Sequence, residues 1–561
     1  MTIDAVPPAL VLILAGFLLP AIRQTWRPAL ALGAPLAALA LVWSIGDGPQ
    51  VTVGFLDYTL VPVAGDALSR LFGTIFAIMA FAGALFAYRT ASTLELSAAF
   101  IYAGGALGVV FAGDLITVFV FWEIMAVAST LVIWASRQPD AYGAGVRYIL
   151  VHLFGGVVLM GGIVLHVSTT GSVEFGTMTG GGPGTWLILA GFLINAGAPP
   201  LSAWLPDAYP EASPSGTVFL SAFTTKTAVY VMIRGFPGTE LLVYVGVFMI
   251  FYGIIYALLE NDMRRILAYS IVNQVGFMVV GIGIGTEMAL NGAAAHAFAH
   301  IIYKALLLMS AGSVLYMTGK RKCTDLGGLF QSMPLTCVCG IVGALAISSF
   351  PLTSGFISKS MIAQAAIDQN LVYVWYALAA ASAGVFLHAG IKFPWFVFFQ
   401  KDSGMRPPDP PMNMRVAMVL FAFLCIFLGI VPGPLYALLP YPVDYVPYTA
   451  DHVVTMLQLL LFSGLAFFLL LPQMKRTLTI SLDVDWFYRK GGRDLAVAVT
   501  DWISRARVRG ERGARQTLDS WLARVLHLHG PTGGLARTWR TSSTATMIIV
   551  MLTLYLLISY L

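Results

Sequence analysis

Apolar runs of about twenty residues, set apart by short polar stretches, recur along the whole chain and predict membrane-crossing helices. About sixteen such runs stand near residues 8 to 22, 28 to 45, 67 to 88, 93 to 112, 114 to 135, 146 to 168, 184 to 214, 217 to 235, 240 to 260, 265 to 285, 289 to 317, 336 to 369, 374 to 399, 414 to 432, 453 to 471 and 544 to 561. They are too long to be the ~10-residue alternating strands of an outer-membrane barrel. Only VTVGFLDYTLVPV, between the second and third runs, alternates and carries turn residues, which predicts a small surface hairpin. Two runs are broken. In the seventh, Pro199 and Pro200 remove two backbone donors and clash with the preceding turn. In the twelfth, SSFPLTSGFISKS holds Pro351 and Gly355. Interrupted runs in corresponding parts of two halves predict an inverted repeat with its site at mid-membrane. The chain then divides into residues 1–92, two five-helix units at 93–235 and 236–399, two more helices over 400–472, a basic segment at 473–543 and a last span at 544–561.

Composition agrees with an all-α polytopic membrane protein. Hydrophobic residues make up 58% and charged residues 11%, with mean hydropathy +0.82, whereas about 25% of a soluble domain is charged. Cys323, Cys337, Cys339 and Cys425 lie in or beside apolar runs with no ligand spacing, so they read as small core residues. The first run lacks a basic flank and reads as a helix, not a signal peptide. Arg23, Arg27, Arg89, Arg137, Arg147, Arg264, Arg265, Lys320, Arg321, Lys322, Lys401, Arg406 and Arg415 all fall in loops of one parity, and only Arg234 dissents. The positive-inside rule then puts both termini outside a bacterial inner membrane.

Ionisable residues inside apolar runs are the functional candidates, since each is expensive to hold there. Glu123 sits mid-span in VFVFWEIMAVAST, too deep to snorkel; its plain alternative is a packing carboxylate. Lys226 lies in the eighth run, where a desolvated lysine can exchange a proton near neutral pH. His296, His300 and Lys304 repeat every four residues along one helix face, a rise of about 12 Å. A histidine pair could hold a metal, but no further ligands follow and a lysine one turn on would repel a divalent cation, so a proton relay is the better reading. Lys359 follows the second break. His152 and Lys392 are secondary candidates; under the repeat, Lys392 corresponds to Lys226, though it lies near enough to a membrane face to snorkel.

PPLSAWLPDAYPEASPSGTVFLSAFTTKTAVYVMIR, NDMRRILAYSIVNQVGFM, HAFAHIIYKALLLMSAGSV and PLTSGFISKS together resemble the antiporter-like subunit family over roughly residues 60 to 400. That family comprises the large Mrp-type cation/proton antiporter subunits and the proton-pumping membrane-arm subunits of complex I and related hydrogenases. The resemblance implies a fourteen-helix core, two inverted five-helix repeats and a hydrophilic axis at mid-depth. It assigns Glu123 as the fifth-helix glutamate, Lys226 as the eighth-helix lysine, His296, His300 and Lys304 as the eleventh-helix relay, and Lys359 as the charged residue of broken helix twelve. One position departs. Where the family usually carries a lysine that pairs with its glutamate, this chain has Asn195, a neutral amide that can donate a hydrogen bond or offer a carbonyl to Na⁺. Ser202 and Ala203 stand where many members place a histidine.

From Lys475 to Arg540 basic residues outnumber acidic ones and tryptophans are interleaved. Between two spans, such a segment reads as an amphipathic helix on anionic lipid or on a neighbouring protein of the same assembly rather than a nucleic-acid site. Whether it forms one helix or two is open. These readings point to an ion-translocating subunit of a multi-subunit Mrp-like antiporter, moving H⁺ and Na⁺ with no cofactor or metal of its own. The alternatives are a proton-pumping subunit of a redox complex, or a non-conducting structural subunit. No cluster, flavin or nucleotide motif is present, so any redox chemistry would belong to a partner.

Overall fold

The computed structural model describes residues 2–3, 5–178, 181–472, 483–484 and 486–561. The chain divides into two units, Met1–Asp485 and Trp486–Leu561. In chain order the first contains β1 (Thr2–Ile3), α1 (Pro8–Leu18), α2 (Arg27–Ser44), β2 (Gly48–Phe55), β3 (Tyr58–Gly65), α3 (Ala67–Ala87), α4 (Thr93–Phe111), α5 (Leu115–Trp134) and α6 (Ala141–Thr170). It continues with α7 (Pro183–Ala196), α8 (Trp204–Ala208), α9 (Gly216–Leu220), α10 (Thr224–Gly235), α11 (Leu241–Leu259), α12 (Met263–Ile284) and α13 (Glu287–Thr318). After these come α14 (Pro334–Ile347), α15 (Ser354–Asp368), α16 (Val372–Val385) with π-helical turns at Phe386–Lys392 and Trp395–Phe399, α17 (Met412–Ile430), α18 (Gly433–Tyr436) and α19 (Ala450–Leu470).

Thirteen described helices are long and apolar enough to cross a membrane, counting Gly216–Gly235 and Val372–Phe399 each as one. Three further positions hold the shorter apolar helices α1, α7 and α14. The last two open the broken runs. The first run ends sooner than its hydropathy suggests: α1 has 11 residues, about 16 Å of rise, because Pro20 cannot continue it.

Side chains ahead of the helices fix many of their starts. Asp66 forms a capping box with Ser69 on α3, while Ser92, Asp114, Asp262, Thr286 and Thr449 cap α4, α5, α12, α13 and α19. Each satisfies an amide that the first turn leaves unpaired. The expected hairpin is present: β2 and β3 pair antiparallel and β1 adds to β2. It is tied to the start of α5, where Val61 accepts from the Gly113 N–H at 2.9 Å and donates to Asp114 Oδ2 at 2.7 Å. Arg234, the arginine that breaks the charge pattern, pairs with Asp66 at 2.6 Å and lies over the Tyr230 ring. Burial alone would raise the Asp66 carboxyl, but the Arg234 charge and the Ser69 amide and hydroxyl hold it below the usual carboxylate range.

At the centre, α12 and α13 are buried along almost their whole length. They are nonetheless rich in polar side chains, which marks an interior site and not a lipid-facing helix.

In the second unit α20 (Gly492–His529) is one continuous helix of 38 residues, followed by α21 (Thr541–Tyr560). The basic segment is thus a single long helix over its described part, passing through Gly510 and Gly513 and stopping before Pro531. Lys475, Arg476 and Asp485 lie outside the described residues.

Candidate functional site

The two breaks expected from proline and glycine are joined by a third. After Ala196 the backbone turns left-handed at Gly197, whose N–H closes back on the Ile194 carbonyl, and Trp204 Nε1 donates to the same carbonyl at 3.1 Å. The eighth span is also interrupted, at Ser221–Phe223 between α9 and α10. Neither proline nor glycine marks the place. It is held from α4 by Tyr102, whose hydroxyl accepts from the Thr224 N–H at 2.8 Å and lies 2.6 Å from Thr224 Oγ1.

Each of these later breaks supplies a carbonyl to a lysine. Lys226 Nζ donates to Ser221 O at 2.6 Å and to Thr225 Oγ1 at 3.1 Å. Lys359 Nζ donates at 2.7 Å to Ile347 O, at the end of α14, and lies 4.8 Å from the Phe277 ring centroid. Lys392 differs. Its ammonium donates to Ala257 O, Leu258 O and Glu260 O at 3.1, 2.6 and 2.6 Å, which terminates α11 as a cation at a helix C-terminus does.

Between Lys226 and Lys359 runs α13. Its His296 and His300 rings have centroids 6.2 Å apart, and the charges of Lys226, Lys304 and Lys359 all bear on His300. Lys304 Nζ donates to Ser270 Oγ at 2.9 Å and Leu267 O at 3.3 Å. All of these residues are buried. Among the described residues no ion pair includes Lys226, Lys304 or Lys359: every acceptor is a carbonyl, a hydroxyl or a ring.

A directional chain fixes His296. Asn273 Nδ2 donates to Ile250 O at 3.0 Å, leaving its amide oxygen to accept from Gln274 Nε2. Gln274 Oε1 then accepts from the Tyr303 hydroxyl at 3.0 Å. Tyr303 has given its one proton, so it accepts from His296 Nε2 at 3.3 Å. Nδ1 of the neutral ring is left to accept from Ser358 Oγ at 3.0 Å. The tautomer is assigned by this network. His300 has no such partner; both its nitrogens are buried and unbonded among the described residues.

Lys359 opens onto a cavity of about 400 Å³ shared by α15, α16 and α19, whose polar lining includes Ser360, Gln364, Ser382, Asp451 and His452. His452 Nε2 lies 3.1 Å from Gln364 Oε1 and its Nδ1 lies 3.2 Å from Pro447 O. Gln364 Nε2 donates to Asp368 at 2.8 Å. The amide oxygen is thereby turned to His452 Nε2, while Nδ1 faces both the Pro447 carbonyl and, at 3.4 Å, the Tyr445 hydroxyl.

Glu123, His152 and Asn195 form a separate group where α5, α6 and α7 meet. Glu123 Oε1 lies against Gly156, so close that an added Cβ would stand 2.0 Å away, and Asn195 Oδ1 is 3.6 Å from where a Cβ on Gly155 would be. Glu123 Oε1, Asn195 Oδ1 and both nitrogens of His152 are buried without hydrogen-bond partners among the described residues. The His152 ring lies tilted against Tyr148, centroids 4.0 Å apart, and meets Trp204 edge-to-face at 4.6 Å. No described hydrogen bond links this group to Lys226.

The WLPDAYPE and NDMRRILAYS segments clasp one another. Arg264, buried at the start of α12, donates to Pro210 O at 2.7 Å, Ala212 O and Ser213 O at 2.9 Å each, and Thr217 Oγ1. Arg321 bridges Glu211 and Asp262 at 3.0 and 2.8 Å. Asp207 is paired with Arg147 on α6 at 2.6 Å. Beside the clasp, Glu95 is buried on the hydroxyls of Ser213 and Ser215. Sequence reasoning passed over Glu95, Tyr102, Tyr303, Gln274 and His452; a polar residue inside an apolar run was the available signal for the first four.

Residues 112–386 match the family model described as NADH:quinone oxidoreductase/Mrp antiporter, TM. A probable K⁺/H⁺ antiporter protein of Rhizobium meliloti is 30% identical over 358 residues, covering 59% of this chain and 36% of that protein. One of the Na⁺/H⁺ antiporter proteins of Alkalihalophilus pseudofirmus is 28% identical over 358 residues, 60% of this chain and 72% of its own length. The chain thus spans about a third of the first relative and about three quarters of the second. Among solved structures, a chain of the Mrp complex from Dietzia sp. superposes with TM-score 0.68 at 21% identity, covering 82% of this chain and 98% of that one. A chain of the membrane-bound sulfane sulfur reductase, an archaeal respiratory membrane complex, gives 0.70 at 22%, covering 80% and 99%. These two likenesses establish the fold.

Proposed function

We propose that this chain, whose residues 112–386 match the family model described as NADH:quinone oxidoreductase/Mrp antiporter, TM, is the ion-translocating subunit of a multi-subunit cation/proton antiporter. Its cargo is H⁺, exchanged for Na⁺ or a related alkali cation, and its partners are further membrane subunits. The termini face outward, and α20 rests on anionic lipid or on a neighbouring protein of the assembly. The observation that carries the reading is the buried row of Lys226, His300, His296, Lys304 and Lys359 with neutral acceptors throughout. Holding three lysines charged at mid-membrane costs about 8 to 10 kcal/mol on insertion scales. Structure alone does not repay that when a neutral carbonyl and hydroxyl are the only partners; a site that must be charged and uncharged in turn has reason to keep them.

In this mechanism a proton on Lys226 passes to the α13 histidines, and Ser358 carries it from His296 Nδ1 toward Lys359. From there the cavity leads to His452. Each hydroxyl on the route both donates and accepts, as a relay requires. Glu123 acts from the side: lacking a basic partner, its carboxylate answers to cations that reach the α5–α6–α7 junction, with Asn195 offering an amide oxygen.

The test is pH-gradient dissipation in vesicles carrying the whole complex, after addition of Na⁺ or K⁺, for wild type and Lys226→Ala. Loss of exchange with the complex still assembled supports the row. Exchange at the wild-type rate makes Lys226 structural and removes the proposal.

A further inference from the structure

The ends of α1 to α4 enclose a cavity of about 670 Å³ that the ion path does not use. Its polar wall is Gln24, Arg27, Tyr88, Arg89 and Thr93, and Leu19 and Leu96 add an apolar side. Arg27 is pre-positioned: Nε donates to Ile22 O at 3.1 Å and Nη1 to Thr93 Oγ1 at 2.7 Å. The Arg89 guanidinium lies 5.4 Å from the Tyr88 ring centroid. Neither arginine is paired with a carboxylate among the described residues. One helix N-terminus opens here as well, α2 at Arg27 with no capping side chain, and its partial positive charge adds to that of the guanidiniums.

We propose that this cavity binds the phosphate of an acidic phospholipid headgroup. The charge calls for an anion, and three features favour a lipid over a free ion. The volume suits a headgroup-sized ligand. One wall is apolar. Residues flanking the lining, Leu18 and Trp26, are exposed on the outer surface of the bundle, Trp26 by 66%, and tryptophan at such a position anchors at the headgroup level. The site lies at the end of the bundle where lysine and arginine collect, which under the orientation proposed above faces the anionic inner leaflet.

The full chain, solubilised in mild detergent, is titrated with phosphatidylglycerol, phosphatidylcholine or inorganic phosphate and read by native mass spectrometry. Phosphatidylglycerol is expected to bind and phosphatidylcholine to bind far less. Binding should weaken about fivefold for Arg89→Gln and about thirtyfold for Arg27→Gln/Arg89→Gln, roughly one arginine's worth of lipid attraction each. Arg137→Gln, an exposed arginine elsewhere at the same end, should match wild type. Arg89 is exposed and makes no hydrogen bond to the fold among the described residues, so its single variant reports binding even if Arg27→Gln destabilises the chain. Equal binding of the two lipids, wild-type binding by Arg89→Gln, or displacement of the lipid by equimolar phosphate would each overturn the proposal.

Discussion

Replacing Arg264 with alanine should loosen the clasp between the WLPDAYPE turn and the start of α12. The side chain satisfies three backbone carbonyls and a hydroxyl, at Pro210, Ala212, Ser213 and Thr217. Its removal leaves the Ala212 carbonyl without a partner among the described residues and takes the shortest donor from Pro210 O and Ser213 O, which keep Arg321 and the Thr217 amide; an unsatisfied buried group costs about 1 to 3 kcal/mol. Partial relaxation and entry of water bring the sum to about 3 to 5 kcal/mol, the range for truncating one member of a buried charged network. The four cysteines provide the assay, because all are buried and none is in a disulfide. Cys323 is the local reporter: its N–H donates to Asn261 O at 2.8 Å, two residues past Arg321 of the same clasp. Below the unfolding temperature, maleimide labelling of Cys323 should accelerate by roughly two to three and a half powers of ten in Arg264→Ala, since ~1.4 kcal/mol is tenfold. Arg265→Ala, which loses only a partly exposed pair with Glu260, should change the rate by less than about tenfold. Wild-type labelling of Cys323 in Arg264→Ala would refute the claim that this arginine holds the two segments together.

Gly156→Ala places a Cβ 2.0 Å from Glu123 Oε1, so the carboxylate must move; exchange in vesicles should fall as far as in Glu123→Gln, at a stability cost of about 1 to 3 kcal/mol, and full activity would show that the position of Glu123 is unimportant. Lys392→Met removes three bonds to the end of α11 and should lower thermal stability by about 2 to 4 kcal/mol while exchange per folded complex stays at the wild-type level. His452→Phe should close the mouth of the Lys359 cavity and cut exchange by at least tenfold, with His452→Gln restoring part of it; vesicle assays that show no difference would separate the cavity from the ion path.

What the sequence made legible was whatever a local rule controls. The helical runs follow from bilayer thickness, and the breaks at Pro199–Pro200 and near Pro351 follow from missing backbone donors. The buried cations stood out because their cost is high wherever they occur. Interruption of the eighth span at Ser221–Phe223 carried no such mark, since it depends on Tyr102, more than a hundred residues earlier in the chain. Lys392 shows the same dependence on distant chain: its partners are the terminal carbonyls of α11, more than a hundred residues earlier. Glu95 escaped notice because its serine partners, Ser213 and Ser215, come from a distant turn. The site roles rest on pattern, and the exchange experiments above are their measure.

The one-way run of hydrogen bonds from His296 through Tyr303 to Gln274 and Asn273 ends on a peptide oxygen, with no ionisable group beyond it. That arm is therefore a brace that fixes the resting tautomer, and Nδ1 is the edge that faces the relay serine. An edge that has just handed over its hydrogen cannot do so again until the neighbouring serine swings round, so every turnover contains a mechanical reset as well as a hop. Turnover in heavy water should consequently slow even when the gradient is steep.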